Sequence, residues 1–276
     1  MTSGGLESRE EPLKPDEGKS RKKISPEPGG LRNSPSVPTI FERYGNTLVL
    51  MTIGSVLLAA IFGVGIISPL FFTAAVFPFF YTAIVRNDHR AGVVIVFRWA
   101  IALFVTLLVV GVFVPDRIGS ALPMATNTAT ALETWIRDPG VPPPANLNYI
   151  LWGMLAFTVA SVLSGGLLGF LIGAVALGGA AYSALHVFRH GINIIQISLV
   201  AVPVWQLSLF VAGAFVMVPL SVFMYERFFN VEKRPQDWDL LRNYMYVGAS
   251  FFVLSIVLRY ATAGVWRELV EQWTIL

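Results

Sequence analysis

His186 and His190 stand four positions apart, so on a helix their imidazoles share one face, the spacing at which two histidines can meet one metal ion. A metal site normally takes three or four protein ligands, and no carboxylate or third histidine lies near the pair in sequence; the remaining histidine is His89. The two therefore read as interfacial histidines, and neither a metal nor a cofactor is implied. Two histidines on one helix also cannot clamp a haem from opposite faces, which disfavours a b-type cytochrome.

Arg189, Asn193 and Gln196 fall at i, i+4 and i+7 and form a polar stripe on one helical face. Gln206 follows Pro203, whose ring removes a backbone donor and frees a carbonyl. Polar side chains within a membrane face protein or a water-filled cavity, so Arg189, Asn193, Gln196 and Gln206 are candidate cavity-lining residues. The plainer alternative is that Arg189 snorkels to the headgroups while the amides bond neighbouring helices. Arg98, beside Trp99 inside an apolar run, also reads as a snorkelling arginine; Arg259 carries less weight.

Ser161, Gly165, Gly169 and Gly173 recur at every fourth position in a run of Leu, Val and Phe. Small residues on one face let a second backbone approach closely, so these four are predicted helix-packing residues, with Ser55, Ala59 and Gly63 as a second seam. A ligand groove is the sharper alternative. Ser164-Gly165-Gly166 is not a nucleophile turn, because Val162 stands where that motif needs glycine.

What is missing narrows the chemistry further. The clearest apolar runs hold no Asp or Glu, the usual partners of protons and cations in pumps. That disfavours antiport through a membrane carboxylate and removes the paired aspartates of intramembrane proteolysis. No HExxH motif or P-loop is present, and the absence of cysteine excludes disulfides, thiolate metal sites and cysteine nucleophiles. No catalytic residue is assigned, and the chain reads as a non-enzyme.

The elements that must position these residues are membrane helices. Of 276 residues, 55% are apolar and 13% charged, against roughly 45–50% and about 25% in soluble domains. Lipid can cover that excess of apolar surface. The pI near 9.3 reflects few charges in total and is not a nucleic-acid footprint. The fold class is all-α, a polytopic transmembrane helical bundle with a disordered N-terminal tail. Residues 1–40 form the predicted cytoplasmic tail, rich in Pro, Gly, Ser, Glu and Lys, and residues 41–276 the transmembrane domain. The first apolar run begins only near Thr47, too late for a secretory signal, so the tail is expected to stay on the chain.

A helix needs about 20 apolar residues to cross roughly 30 Å of hydrocarbon. Spans are predicted near 47–67, 70–85 and 92–114, three more within 149–225, and a last one near 244–260. Ser68-Pro69 reads as the turn of a helical hairpin. The division of 149–225 falls either at Ser164-Gly165-Gly166 or near Pro203, and six crossings are the alternative to seven. Placing residues 1–45, the 86–90 turn and the 225–243 loop on one side gathers fourteen Lys and Arg there, against Arg117, Arg137 and Arg267 opposite. The positive-inside rule then makes the N-terminus cytoplasmic, and seven crossings put the C-terminus outside.

Between spans, Leu122, Ala125, Ala129, Leu132 and Ile136 recur at steps of three and four, which predicts an external interfacial helix near 121–137 with its apolar face on the membrane. The C-terminal VWRELVEQWTIL repeats the pattern with Val265, Trp266, Leu269, Val270 and Trp273.

The stretch AYSALHVFRHGINIIQISLVAVP, Ala181–Pro203, resembles a segment of Yip1-type membrane proteins, in which a helix with an aromatic/His ending leads through a glycine turn into a second helix with a proline. The long cytoplasmic tail and external C-terminus are also similar. The resemblance implies membrane trafficking or organisation without catalysis and carries over no functional residue. The expected function is an accessory subunit of a membrane assembly or a membrane-organising protein, with the bilayer and other membrane subunits as partners, in a plasma or inner membrane. The alternative is a permease or channel for a neutral or amphipathic solute.

Overall fold

Inside a bilayer every backbone N–H and C=O must find its partner within the protein, and an α-helix does so within one segment. All regular structure among the described residues is helical. The computed structural model describes residues 40–63, 65, 67–138, 140–141, 147–187, 202–229 and 237–274. The predicted disordered tail, Arg189, His190, Asn193 and Gln196 lie outside them.

The helices are α1 (Ile40–Phe62), α2 (Ser68–Val85), α3 (His89–Phe113), α4 (Pro115–Ala121), α5 (Ala125–Arg137), α6 (Leu147–Ser164), α7 (Leu167–Val187), α8 (Val204–Phe229) and α9 (Trp238–Thr274). Seven of them, all except α4 and α5, are long and apolar enough to cross a membrane. The protein is therefore a multi-pass integral membrane protein. Local chemistry sets several boundaries. Pro69 sits in the first turn of α2, where its missing N–H costs nothing. The Asp88 carboxylate accepts the Ala91 N–H at 3.0 Å and caps α3. Pro78 stays inside α2, and Thr82 donates to its carbonyl at 2.7 Å.

Between α6 and α7 the chain reverses at Gly165 and Gly166, with φ of +59° and +96°. Only glycine adopts such values without strain, so the division of the long apolar run falls here. α8 begins directly after Pro203, giving three spanning-length helices between 147 and 229.

Contacts between helices order the two ends of the bundle. Gly166 lies against Phe80 and Ser221, and the Tyr81 and Tyr225 rings meet edge to face at 5.7 Å. The α2 C-terminal half, the α6–α7 turn and the α8 C-terminal half therefore share one end. At the other end Gly111 meets Leu185, Gly119 meets Tyr182, and Trp205 meets Trp266. Successive spanning helices thus alternate in direction.

Aromatic rings fill the centre. Trp99 on α3 and Phe80 on α2 both meet Phe170 of α7 edge on, at 5.1 and 5.0 Å. The Trp99 indole N–H donates to the Phe72 carbonyl at 3.1 Å, so the ring's polar atom is satisfied within the core. A second cluster joins α3, α8 and α9: Phe97 faces Phe210 and Phe215 at 6.0 and 6.1 Å, and Phe215 faces Tyr244 at 5.5 Å.

Two sequence expectations change. The last span and the C-terminal amphipathic segment are one helix of 37 residues, because nothing between Tyr260 and Trp266 breaks it. At 1.5 Å per residue it is about 55 Å long and overreaches the roughly 30 Å hydrocarbon layer. Of its expected apolar stripe, Val270 is buried while Val265 is exposed. The 125–137 helix forms, but Ala125, Ala129, Trp135 and Ile136 are buried against the bundle, chiefly α7 and also α9, so protein and not lipid covers that face.

Candidate functional site

The end of the bundle where α5 meets α7 and α9 brings together two ion pairs on Glu133 and three tryptophans. The Glu133 carboxylate is held at both oxygens: Arg137, one turn along α5, approaches to 2.7 Å, and His186 Nε2 of α7 to 3.1 Å. Glu133 and His186 are about one-third exposed and Arg137 is more open, so the cluster is solvent-screened and serves as a link between α5 and α7 worth under about 1 kcal/mol per pair. Tyr182 stacks on His186 at 6.1 Å and steadies the imidazole from its own helix.

Beside this link, Trp135 and Trp266 stack at 5.8 Å with an interplanar angle of 8°, and Trp205 meets Trp266 edge on at 5.6 Å. Arg267 Nε donates to the Ile136 carbonyl at 3.2 Å, tying α9 to the last turn of α5. One side chain of α9 thus satisfies a carbonyl that helix geometry leaves orphaned at the α5 C-terminus.

The sequence offered Glu133 no role. It lies 53 residues from His186, and only the docking of α5 joins them. The available signal was the amphipathic spacing of α5, read as a membrane-facing stripe. Even with Glu133, no group of three or more His, Asp or Glu among the described residues is placed to hold a metal ion.

Of the candidate cavity-lining residues, Gln206 is described and lies exposed on the first turn of α8. The small-residue series divides across two helices and a turn. Ser161 on α6 and Gly169 on α7 face each other across the turn that holds Gly165, and a Cβ at Gly169 would collide with the Ser161 hydroxyl and lie 3.1 Å from Met217 Sδ of α8. Gly173 lies under the Trp99 ring. In the other series Ser55 and Ala59 are buried on α1, and Gly63 follows the helix with φ of +62°.

Arg98 lays its guanidinium against Gly45, at the start of the α1 span, so its long stem carries the charge toward the membrane boundary. Arg259 is enclosed in mid-α9. A glycine that spacing did not single out lets α8 and α9 approach closely: a Cβ on Gly248 would stand 3.1 Å from the Ala212 carbonyl oxygen, and nearby Ser208 Oγ donates to the Phe251 carbonyl at 2.8 Å.

Comparison with protein-family models, with curated proteins and with solved structures finds no match to this chain.

Proposed function

We propose that the protein is a non-enzymatic membrane component, an accessory subunit of a membrane assembly or a membrane-organising protein. The observation that carries this reading is the outward face of two helices. In α6 and α9 only 11% and 17% of the spanning window is buried, against 39–50% in the other five. On α6 the exposed side chains include Trp152, Leu155 and Leu163, and on α9 Val253, Val257 and Tyr260. Such helices offer long apolar surfaces to neighbouring helices and lipid, while the aromatic centre around Trp99 and Phe170 leaves the described interior packed.

The resemblance of Ala181–Pro203 to Yip1-type proteins supports the same class, membrane trafficking or organisation. The distribution of Lys and Arg supports a cytoplasmic N-terminus. The test places photo-crosslinking residues at Trp152 and Val257 in native membranes. The reading expects a discrete protein adduct at one site or both. Adducts to lipid alone at both sites would remove the subunit role, and flux of a neutral solute through proteoliposomes of the pure protein would replace the whole reading with a permease.

A further inference from the structure

Helix α9 is too long for the bilayer, and its contacts show which end overreaches. The α4–α5 turn rests on the α1–α2 connection, where a Cβ on Gly65 would stand 3.0 Å from the Ser120 carbonyl oxygen. That connection lies between the spanning stretches of α1 and α2, so it marks a membrane end. On α7 the same turn is met at Gly178, whose Cβ would stand 2.6 Å from Leu122 Cδ2. Glu133 meets His186, eight residues further along α7, about 12 Å beyond that level at the helical rise. Trp135 and Ile136 come next on α5, and they hold Trp266 and Arg267. The last turns of α9 therefore stand outside the bilayer.

One side of these turns is covered and the other is bare. Trp266 stacks on α5, Arg267 bonds to it, and Val270 is buried. Opposite them Ala261, Gly264 and Glu268 are exposed, and Val265 is 66% exposed. Val257, Ala261, Gly264 and Glu268 follow one another at steps of four, three and four, so they continue along α9 the bare line on which Val253 and Val257 face the membrane. Acyl chains cover the part within the hydrocarbon layer but end at its boundary. Val265, beside Trp266, is beyond their reach.

We propose that this line is the docking seam for a transmembrane helix of another protein, one that continues past the bilayer beside α9 and carries a Lys or Arg against Glu268. The inference rests on the accessory-subunit reading and gives the partner its chemistry. A helix running along α9 covers the lipid-level residues and Val265 together, which neither lipid nor a purely soluble protein does. A Cβ on Gly264 would meet nothing within 4 Å, so a second backbone can come close there. Glu268 has no ion pair or hydrogen bond among the described residues, and a cation opposite it completes the seam. A second copy of this chain does not fit. Two copies related by a two-fold axis along the membrane normal would bring Glu268 against Glu268, and like charges facing each other oppose association.

The test places a photo-crosslinking residue at Val265 of the full-length protein in native membranes, alone and combined with Glu268→Asp, Glu268→Lys or Gly264→Leu. The expected adduct joins Val265 to a peptide that flanks an apolar spanning stretch of another protein and contains Lys or Arg. Its yield should hold in Glu268→Asp and fall about fivefold or more in Glu268→Lys, which replaces an exposed attraction by a repulsion. Gly264→Leu should lower it likewise, and serves where Glu268→Lys fails to accumulate. An unchanged melting midpoint for the purified variants shows that the loss is one of docking and not of folding. A yield indifferent to Glu268→Lys would overturn the basic partner, an adduct of two copies of this chain would replace it with a dimer, and an adduct to a soluble protein would overturn the helix. Lipid adducts alone at Val265 beside a protein adduct at Val257 or Trp152 would overturn this seam and leave the accessory-subunit reading standing.

Discussion

Replacing Gly169 with alanine adds one methyl group at the meeting of α6, α7 and α8. In a helix that change is worth up to about 1 kcal/mol in propensity. Here the new Cβ would overlap the fully buried Ser161 hydroxyl and crowd Met217 Sδ at 3.1 Å, and overpacking of this kind costs about 1–3 kcal/mol. The net loss is about 0–2 kcal/mol. At Gly173 the nearest atoms to a new Cβ are Trp99 ring carbons at 3.7 and 3.8 Å, an ordinary contact, so the propensity gain stands. The two alanine variants should therefore differ by about 1–3 kcal/mol, which is about 2–4 °C of melting midpoint per kcal/mol for a chain of this size. Thermal unfolding in one detergent reads the difference, with Gly169→Ala the lower and Gly169→Leu lower again. Adding Ser161→Ala should recover most of the loss, since the Ser161 Cβ stands at 3.4 Å. A midpoint for Gly169→Ala equal to or above that of Gly173→Ala would refute the α6–α7–α8 contact.

Trp99→Phe should lower the melting midpoint, because it removes the N–H bond to the Phe72 carbonyl, a loss of about 0.5–1.5 kcal/mol. Gly248→Ala should destabilise by a similar amount, since the Ala212 backbone oxygen cannot move aside as a side chain could, while Gly179→Ala, with open space around it, should not; the same melting assay compares them. A double-mutant cycle of Glu133→Gln and His186→Gln should give a coupling below about 1 kcal/mol, and a much larger value would mean the pair is less solvent-screened than its exposure indicates. Deleting residues 2–38 should leave membrane integration intact in a fractionation assay, because the first spanning window begins at Gly45.

The spanning helices were legible because their signal is local: apolar length, Pro69 at a helix start, Asp88 as a cap and the Gly165-Gly166 turn can be read within a few residues. The four-residue period of Ser161 to Gly173 was also visible, yet spacing alone takes one continuous helix and cannot register that Gly165 reverses the chain. Contacts across the bundle have no such signal. Glu133 and His186 meet only because α5 docks on α7, and the stripe that brings them together has the same pattern whether lipid or protein covers it. The fusion of the last span with the C-terminal segment was hidden for a related reason, since a change from apolar to amphipathic composition marks a change of surroundings and not a break in the backbone.

Asp138, just after α5, and Asp237, just before α9, are both exposed and are separated by α6, α7 and α8. Single cysteines at these two positions, probed with an impermeant thiol reagent in sealed vesicles of known orientation, test the seven-crossing architecture most directly. Three full crossings between them predict labelling from opposite sides, with Asp237→Cys on the cytoplasmic side. Labelling of both from the same side would mean that one of α6, α7 or α8 does not cross, and would contradict the account.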